Sequence, residues 1–303
     1  MSVAATAGAV FAALDIGGTK IAAGLVTEDG VLLARTALPT PRGGSGADVL
    51  GVVGQVLSEL TTDRHWPQVT RLGIGCAGPV DTAAGTVSPV NIPAWRDYRL
   101  VSAVKQLSQC RDLQVALCGD AIAMAAGEHW RGAARGRRNA LCMVVSTGVG
   151  GGLVLDGRLF PGTTGNAGHI GHISVELDGK RCPCGARGCV ELIAAGPAIA
   201  RAAGCPDAAA AARAARAGDA RARAAFDRAG QALATACATA AALVEVDLVV
   251  IGGGVAQAGD LLFGPLRRHL ATCATLSFTS GLTVIPAALG ADAGLVGAAA
   301  CVR

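Results

Sequence analysis

Aromatic side chains are scarce. Five Phe, three Trp and one Tyr make up 3% of 303 residues, which leaves few stacking platforms for single-stranded nucleic acid. An excess of one charge is also lacking. Lys and Arg number 26 against 22 Asp and Glu, a formal net charge of +4, too mild to argue for a phosphate backbone as partner. A nucleic-acid partner is therefore not expected. No uninterrupted apolar run reaches the roughly 20 residues that cross a bilayer, so no membrane partner is expected either. The start, AATAGAVFAALDIGG, is apolar, but it has no basic n-region and runs directly into Asp15. It reads as a buried first strand rather than an export signal. The alanine-rich stretch around 194–242 is broken repeatedly by Arg, Asp and Gly.

What is present suffices for two domains with full cores: 303 residues, 51% of them hydrophobic, at a mean hydropathy of +0.47. Eleven cysteines without an export signal fit a reducing cytoplasm. Eight of them, including Cys76, Cys118 and Cys142, mostly sit in apolar strands or helices and read as inert core packing. The other three crowd the stretch Gly165 to Glu191, GNAGHIGHISVELDGKRCPCGARGCVE, with two of the five histidines, His169 and His172. Zn2+ takes four N or S ligands at tetrahedral corners, and glycine turns let a short loop wrap the ion. Cys182, Cys184 and Cys189 with one histidine make a closed Cys3His set, hence a structural rather than a catalytic zinc. A reduced cysteine-rich loop is the plain alternative. His172 precedes Ile-Ser-Val-Glu, which alternates as a strand does and would hold the ring rigidly. His169 lies one turn back in the glycine-rich GTTGNAGHIGH. His172 is assigned to zinc, and His169 to facing a ligand.

Residues 10–14 are an apolar run that ends in Asp15-Ile-Gly-Gly-Thr-Lys20 at a turn. IAAGLV and VLLARTAL follow as strands joined at Asp29-Gly30. Strand, glycine turn, strand makes a phosphate-binding hairpin. Gly17 and Gly18 let backbone N–H groups approach phosphate oxygens, Thr19 adds a hydroxyl, and Lys20 stands beside it. Asp15 at the strand end can hold Mg2+ through water, since magnesium keeps part of its hydration shell. One such turn alone is weak; a second copy gives it weight. LCMVVSTGVGGGLVL, 141–155, again runs from an apolar strand through a hydroxyl and glycine turn, Ser146-Thr147-Gly148, into a returning strand. Two such hairpins imply an internal duplication.

Between the hairpins, 46–62 reads as a helix and 70–76 as a strand. Ala77-Gly78-Pro79-Val80-Asp81 is a turn, and Asn91-Ile-Pro-Ala-Trp95 follows. Trp95 is either a buried anchor or an apolar wall of a cleft. LQVALCGD, 113–120, is a short strand that meets a helix at Asp120, where a carboxylate can simply cap. ARGRRN, 134–139, is a solvated basic loop. Past the cysteine-rich stretch, ELIAAGPAIARAAG and then 207–244, broken at Gly218-Asp219, read as amphipathic helical scaffold. VDLVVIGGGVAQAGDLLFGPLRRHL, 246–270, is strand, triple glycine, helix, and Gly253 and Gly254 let an adenosine lie against backbone. A Rossmann unit is excluded by the missing G-x-G-x-x-G. GLTVIPAAL is another strand and DAGLVGAAACV a last helix.

A glycine loop, then AGHIGH, then CPCGARGCVE resembles the ROK family of bacterial sugar kinases and sugar-responsive repressors. The Gly-Pro-Val-Asp turn with Asn-x-Pro-x-Trp, and DAIAMAAGE from Asp120 to Glu128, extend the resemblance over nearly the whole chain. It implies an α/β, actin-like (ribonuclease H-like) duplicated fold, two domains around a central cleft, with a hairpin gripping the nucleotide from each side. Residues 1–119 would form a small N-terminal domain, completed by a C-terminal helix at about 291–303 that returns to it. Residues 120–290 would form the large domain with the zinc loop. The resemblance further implies zinc on His172, Cys182, Cys184 and Cys189. Sugar would be held by His172, Glu191, His169, Asn91 and backbone near Gly78, and Asp120 would be the base. ATP with Mg2+ would occupy Asp15, Gly17, Gly18, Thr19, Lys20, Thr147, Gly148, Gly253 and Gly254. A homodimer is common in such proteins. Gly119 departs from the pattern, which has an Asn before the Asp that helps hold a sugar hydroxyl.

The expected reaction is ATP-dependent phosphorylation of a hexose 6-hydroxyl, with Asp120 accepting its proton. Many glucokinases of the family carry Glu where His169 stands. A carboxylate only accepts hydrogen bonds, whereas an imidazole can donate one, which suits an acetamide carbonyl. A 2-acetamido hexose is therefore expected; the Gly-His-x-Gly-His pattern also resembles the N-acetylmannosamine kinases of the family, which implies N-acetylmannosamine first, with glucose and N-acetylglucosamine as alternatives. Family repressors need a DNA-reading helix-turn-helix ahead of the first hairpin, and the 14 residues before Asp15 leave no room for one. A non-catalytic sugar-binding regulator is the least favoured reading.

Overall fold

The computed structural model describes residues 8–303. The first seven residues, which include the opening AATA of the apolar start, lie outside the described residues. Two compact units divide the chain. One takes the described residues up to Arg131 together with Pro161–Asn166 and Asp292–Arg303; the other takes Gly132–Phe160 and Ala167–Ala291. The break anticipated at 119/120 thus falls later, after the helix that Asp120 begins, because that helix packs on the C-terminal helix Ala293–Ala300 of its own unit.

The first unit is built on a meander. Strands β1 (Val10–Ile16), β2 (Lys20–Thr27) and β3 (Leu32–Pro39) pair antiparallel. Helix α1 (Gly46–Leu60) then leads to β4 (Val69–Cys76), which runs parallel to β1. A two-stranded ribbon, β5 (Val80–Asp81) with β6 (Thr86–Val87), and helix α2 (Leu100–Lys105) precede β7 (Gln114–Gly119) and α3 (Asp120–Arg131). The sheet order is β3-β2-β1-β4-β7. Central strands are covered on both faces, so β1 is apolar at nearly every position. One face takes Val49, Val53, Val56 and Leu57 of α1, a single helical stripe. The start of α1 is fixed by a reciprocal cap between Ser45 and Asp48. On the other face, Phe11, Ala13, Ala22 and Val26 meet Leu295, Ala298 and Ala299 of the C-terminal helix. Contact there is so close that a Cβ on Gly297 would overlap the Ala123 carbonyl of α3, and one on Gly73 the Ala298 carbonyl.

Trp95 resolves to the buried alternative. It is fully enclosed, stacks on Tyr98 at 4.7 Å between ring centroids, and donates its Nε1–H to Gly46 O at 3.0 Å. It anchors the core and walls no cleft.

The second unit repeats the plan. Strands β8 (Ala140–Val145), β9 (Val149–Leu155) and β10 (Arg158–Phe160) form an antiparallel meander. Short helix α4 (Glu191–Ala194) is followed by α5 (Gly196–Ala203), α6 (Ala208–Arg216) and the 25-residue α7 (Ala220–Val244). Then β11 (Leu248–Gly252), α8 (Asp260–Cys273) and β12 (Thr283–Pro286) complete the order β10-β9-β8-β11-β12, with β8, β11 and β12 parallel. Order and strand sense match the first sheet, which is the duplication read from the two glycine turns. The expected single helix over 191–204 is split at Ala195, where Gly196 N–H turns to Ser146 O at 2.7 Å. Asp207 and Asp219 cap α6 and α7 through Ala210 N and Ala222 N. Ile-Ser-Val-Glu after His172 is not a strand. His172 ends a 3-10 turn, and only Ser174 bridges to Cys189, since the neighbouring chain is a metal-loop turn too short to offer a ladder. Among the described residues, no helix is long and apolar enough to cross a membrane.

Candidate functional site

In the first unit the Asp15–Lys20 turn is held from several sides. Gly17 N–H donates to Lys20 O at 3.0 Å, so Gly17 shapes the turn and its amide is already engaged. Thr40, which is buried and was not singled out from sequence, donates its hydroxyl to Gly17 O at 2.6 Å and its N–H to Thr19 O at 3.1 Å. Asn91 lies directly over Gly18, where any Cβ would overlap its amide. Asn91 therefore belongs beside the glycine turn, a juxtaposition that sequence distance concealed. The Gly78–Pro79 peptide is cis, and Gly78 O accepts from Val90 N at 3.4 Å. Asn166 acts as a strand partner for Val80, accepting its N–H at 3.0 Å and donating to its carbonyl at 2.6 Å.

One carboxylate of this unit, Asp15, is perturbed by a second. Burial first, and then the negative charge of Asp120, push the Asp15 carboxyl up from 3.8 to about 6, against the smaller pull of Lys20 and Arg35. Asp15 sits on β1 between Ala22 and Gly75 and beside Gly294 at the start of the C-terminal helix. Asp120 begins α3, and its Oδ1 accepts from Ala121 N at 2.7 Å, so it does local capping work as well. A buried acid whose ionisation is further opposed by a neighbouring carboxylate is a natural seat for a divalent cation. Gly119 needs no special backbone angle, and a Cβ there would meet only Gly165 O at 3.6 Å. A side chain could start at this position without displacing its neighbours.

In the second unit His172, Cys182, Cys184 and Cys189 place their ligand atoms within 4.8 Å of one another. His172 Nδ1 is 3.8 Å from Cys182 Sγ, and Cys184 Sγ is 3.6 Å from Cys189 Sγ. Zn–S bonds of about 2.3 Å give tetrahedral edges of roughly 3.8 Å, so the four groups fit a zinc. Burial, and then the neighbouring Cys182 and Cys184, push the Cys189 thiol up to about 12. A cation shared by the four groups would take the place of the Cys189 proton. Gly188, at φ +61°, packs against the Glu176 carbonyl where no side chain fits. Of the other cysteines, Cys76, Cys110, Cys118, Cys142 and Cys237 are buried, while Cys205, Cys273 and Cys301 reach the surface.

The second glycine turn lies against this loop. Ser146 N donates to Gly148 O at 2.8 Å, and Val149 N donates to Glu191 Oε2 at 2.8 Å. Gly253, at φ +91°, packs on the Val145 carbonyl, and Gly254 lies by Ser146 Oγ. Thr147, Gly148, Gly253, Gly254 and Glu191 are thus one neighbourhood. A recess of about 160 Å³ beside Gly254 is lined by Arg213, Arg216, Val255 and Gln257. A larger groove of about 430 Å³ between α7 and α8, lined by Arg223, Asp227, Asp260 and Arg268, contains none of the expected site residues. The His169 and His172 rings stack with centroids 5.9 Å apart.

The ROK family model matches residues 11–303. A glucokinase of Thermotoga maritima is 35% identical over 311 residues, covering 96% of each chain. An N-acetylmannosamine kinase of Yersinia pseudotuberculosis is 39% identical over 188 residues, 62% of this chain and 61% of that protein. A solved ROK family glucokinase from Streptomyces griseus, in complex with glucose and AMPPNP, matches with a TM-score of 0.85 at 32% identity, covering 97% of this chain and 99% of that one.

Proposed function

The chain belongs to the ROK family and is an ATP-dependent sugar kinase, and from that premise we propose that it phosphorylates the 6-hydroxyl of a 2-acetamido hexose, N-acetylmannosamine first. The observation that carries the sugar choice is the pair of imidazoles, His169 and His172, stacked 5.9 Å apart. Nδ1 of His172 faces the cysteines. A metal there would fix that ring's proton on Nε2, making it a donor. An acetamide carbonyl accepts only, and His169 can meet it with a second N–H.

In this reading Glu191 accepts from sugar hydroxyls, and Asp120 takes the proton of the 6-hydroxyl as it attacks the γ-phosphorus of ATP. Phosphoryl transfer runs through a loose transition state, so positioning and charge supply most of the rate. Asp15 would hold Mg2+ through water, and Mg2+ supplies neutralising charge to the phosphates. Gly18, Thr19, Lys20, Thr147 and Gly148 orient the triphosphate, and Gly253 and Gly254 give the adenosine a backbone surface. Zn2+ on His172, Cys182, Cys184 and Cys189 would supply a fixed point and no chemistry.

Glucose is the second reading, favoured by the full-length similarity to glucokinases. Side-by-side kcat/KM for N-acetylmannosamine, N-acetylglucosamine and glucose, followed by ADP release, tests the choice. A clear preference for glucose would overturn the role given to His169.

A further inference from the structure

The cysteine-rich segment and the second glycine turn are joined at Val149. Its N–H donates to Glu191 Oε2 at 2.8 Å, and Gly171, one residue before His172, packs directly on its carbonyl. Gly168 lies on the Gly151 carbonyl two residues further along β9. A Cβ on Gly148 would stand 2.6 Å from Glu191 Oε2, so the carboxylate rests against the turn itself. Val149 is buried and Glu191 half-buried, which makes the bond costly to lose.

A carboxylate has about four lone-pair positions. One is engaged by Val149, and Oε1 still has its own. We infer that Glu191 is a positioning residue that couples sugar occupancy to nucleotide affinity, holding the Thr147-Gly148 turn through Val149 with one oxygen while its other oxygen takes the sugar. This rests on the proposed function, which puts the triphosphate at that turn and the sugar at Glu191. A sugar hydroxyl on Oε1 restricts the side chain and therefore steadies the turn. The coupling is reciprocal, so nucleotide must tighten sugar by the same factor.

Calorimetry with AMPPNP and Mg2+, with and without saturating N-acetylmannosamine, tests it on the zinc-loaded protein. Wild type is expected to bind AMPPNP about fivefold tighter with sugar present. In Glu191→Ala that ratio should fall to near one, and sugar-free AMPPNP affinity should drop about threefold as the turn loosens. Glu191→Gln keeps an amide oxygen for Val149 and should retain sugar-free affinity. Gly148→Ala pushes the intact carboxylate off the turn and should lower the ratio as well. Zinc content and melting temperature, measured for each variant, separate these effects from misfolding. A wild-type ratio of one overturns the inference, as does wild-type sugar-free affinity in Glu191→Ala. The sugar-free comparison does not depend on which hexose is right. If no hexose binds the wild type, the substrate reading fails, and Glu191→Ala against Glu191→Gln without sugar decides the tie to the turn alone.

Discussion

Asp15 shows how one buried carboxylate costs a fold stability. Its carboxyl is raised from 3.8 to about 6, chiefly by burial and then by Asp120. A raised acid holds its proton more tightly folded than unfolded. Its stabilising share is complete below pH 3.8 and is lost as pH rises through about 6. Ionised Asp15 therefore costs the folded chain about 3 kcal/mol at pH 8. Asp15→Asn is expected to gain about that much in denaturant unfolding at pH 8, and about half of it at pH 5, while losing activity. An equal gain at both pH values would contradict the cause assigned to the shift. Asp120 is predicted to act in the chemical step. Asp120→Asn should lower kcat by about 10²–10⁴-fold with little change in ATP affinity. Near-normal kcat in steady-state assays would remove it from the mechanism.

At the scale of elements, the metal loop and the close helix contacts make separate predictions. Stripping zinc with a chelator should weaken sugar binding more than nucleotide binding, because His172 and Glu191 flank the loop while the glycine turn keeps its own strand ladder. Calorimetry on metal-free protein with unchanged sugar affinity would refute this. Gly297→Ala should destabilise by about 3 kcal/mol, since the new Cβ has only the backbone of α3 to push against. A denaturant midpoint equal to wild type would count against that packing. Much at this scale was legible in the sequence. The glycine turns, the break at Gly218-Asp219 before α7, and the Cys3His cluster are local patterns whose physics acts over a few residues. Contacts set by the fold were not legible. Thr40 and Asn91 brace the first turn from far along the chain, and Glu191 reaches Val149 across 42 positions. Ile-Ser-Val-Glu has the alternation of a strand but no ladder to join, and alternation alone cannot say whether a partner exists. Trp95 was open between core and cleft because a tryptophan satisfies either.

At the scale of the molecule, each unit owns a core, and the first is finished by residues from the far end of the sequence. Leu295, Ala298 and Ala299 cover Phe11, Ala13, Ala22 and Val26. Ending the chain at Ala291 should therefore expose that face of the first sheet and leave the core of the second unit whole. Hydrogen exchange is expected to lose protection over β1 and β2 while β8 and β11 keep theirs; equal loss in both would mean the two cores are not separable. The same arrangement orders events during synthesis. The face made by Phe11, Ala13, Ala22 and Val26 is expected to stay uncovered during synthesis until residues 293–300 clear the exit tunnel. The sheet made earliest is the one that matures last, and chaperone contacts during translation should concentrate on it.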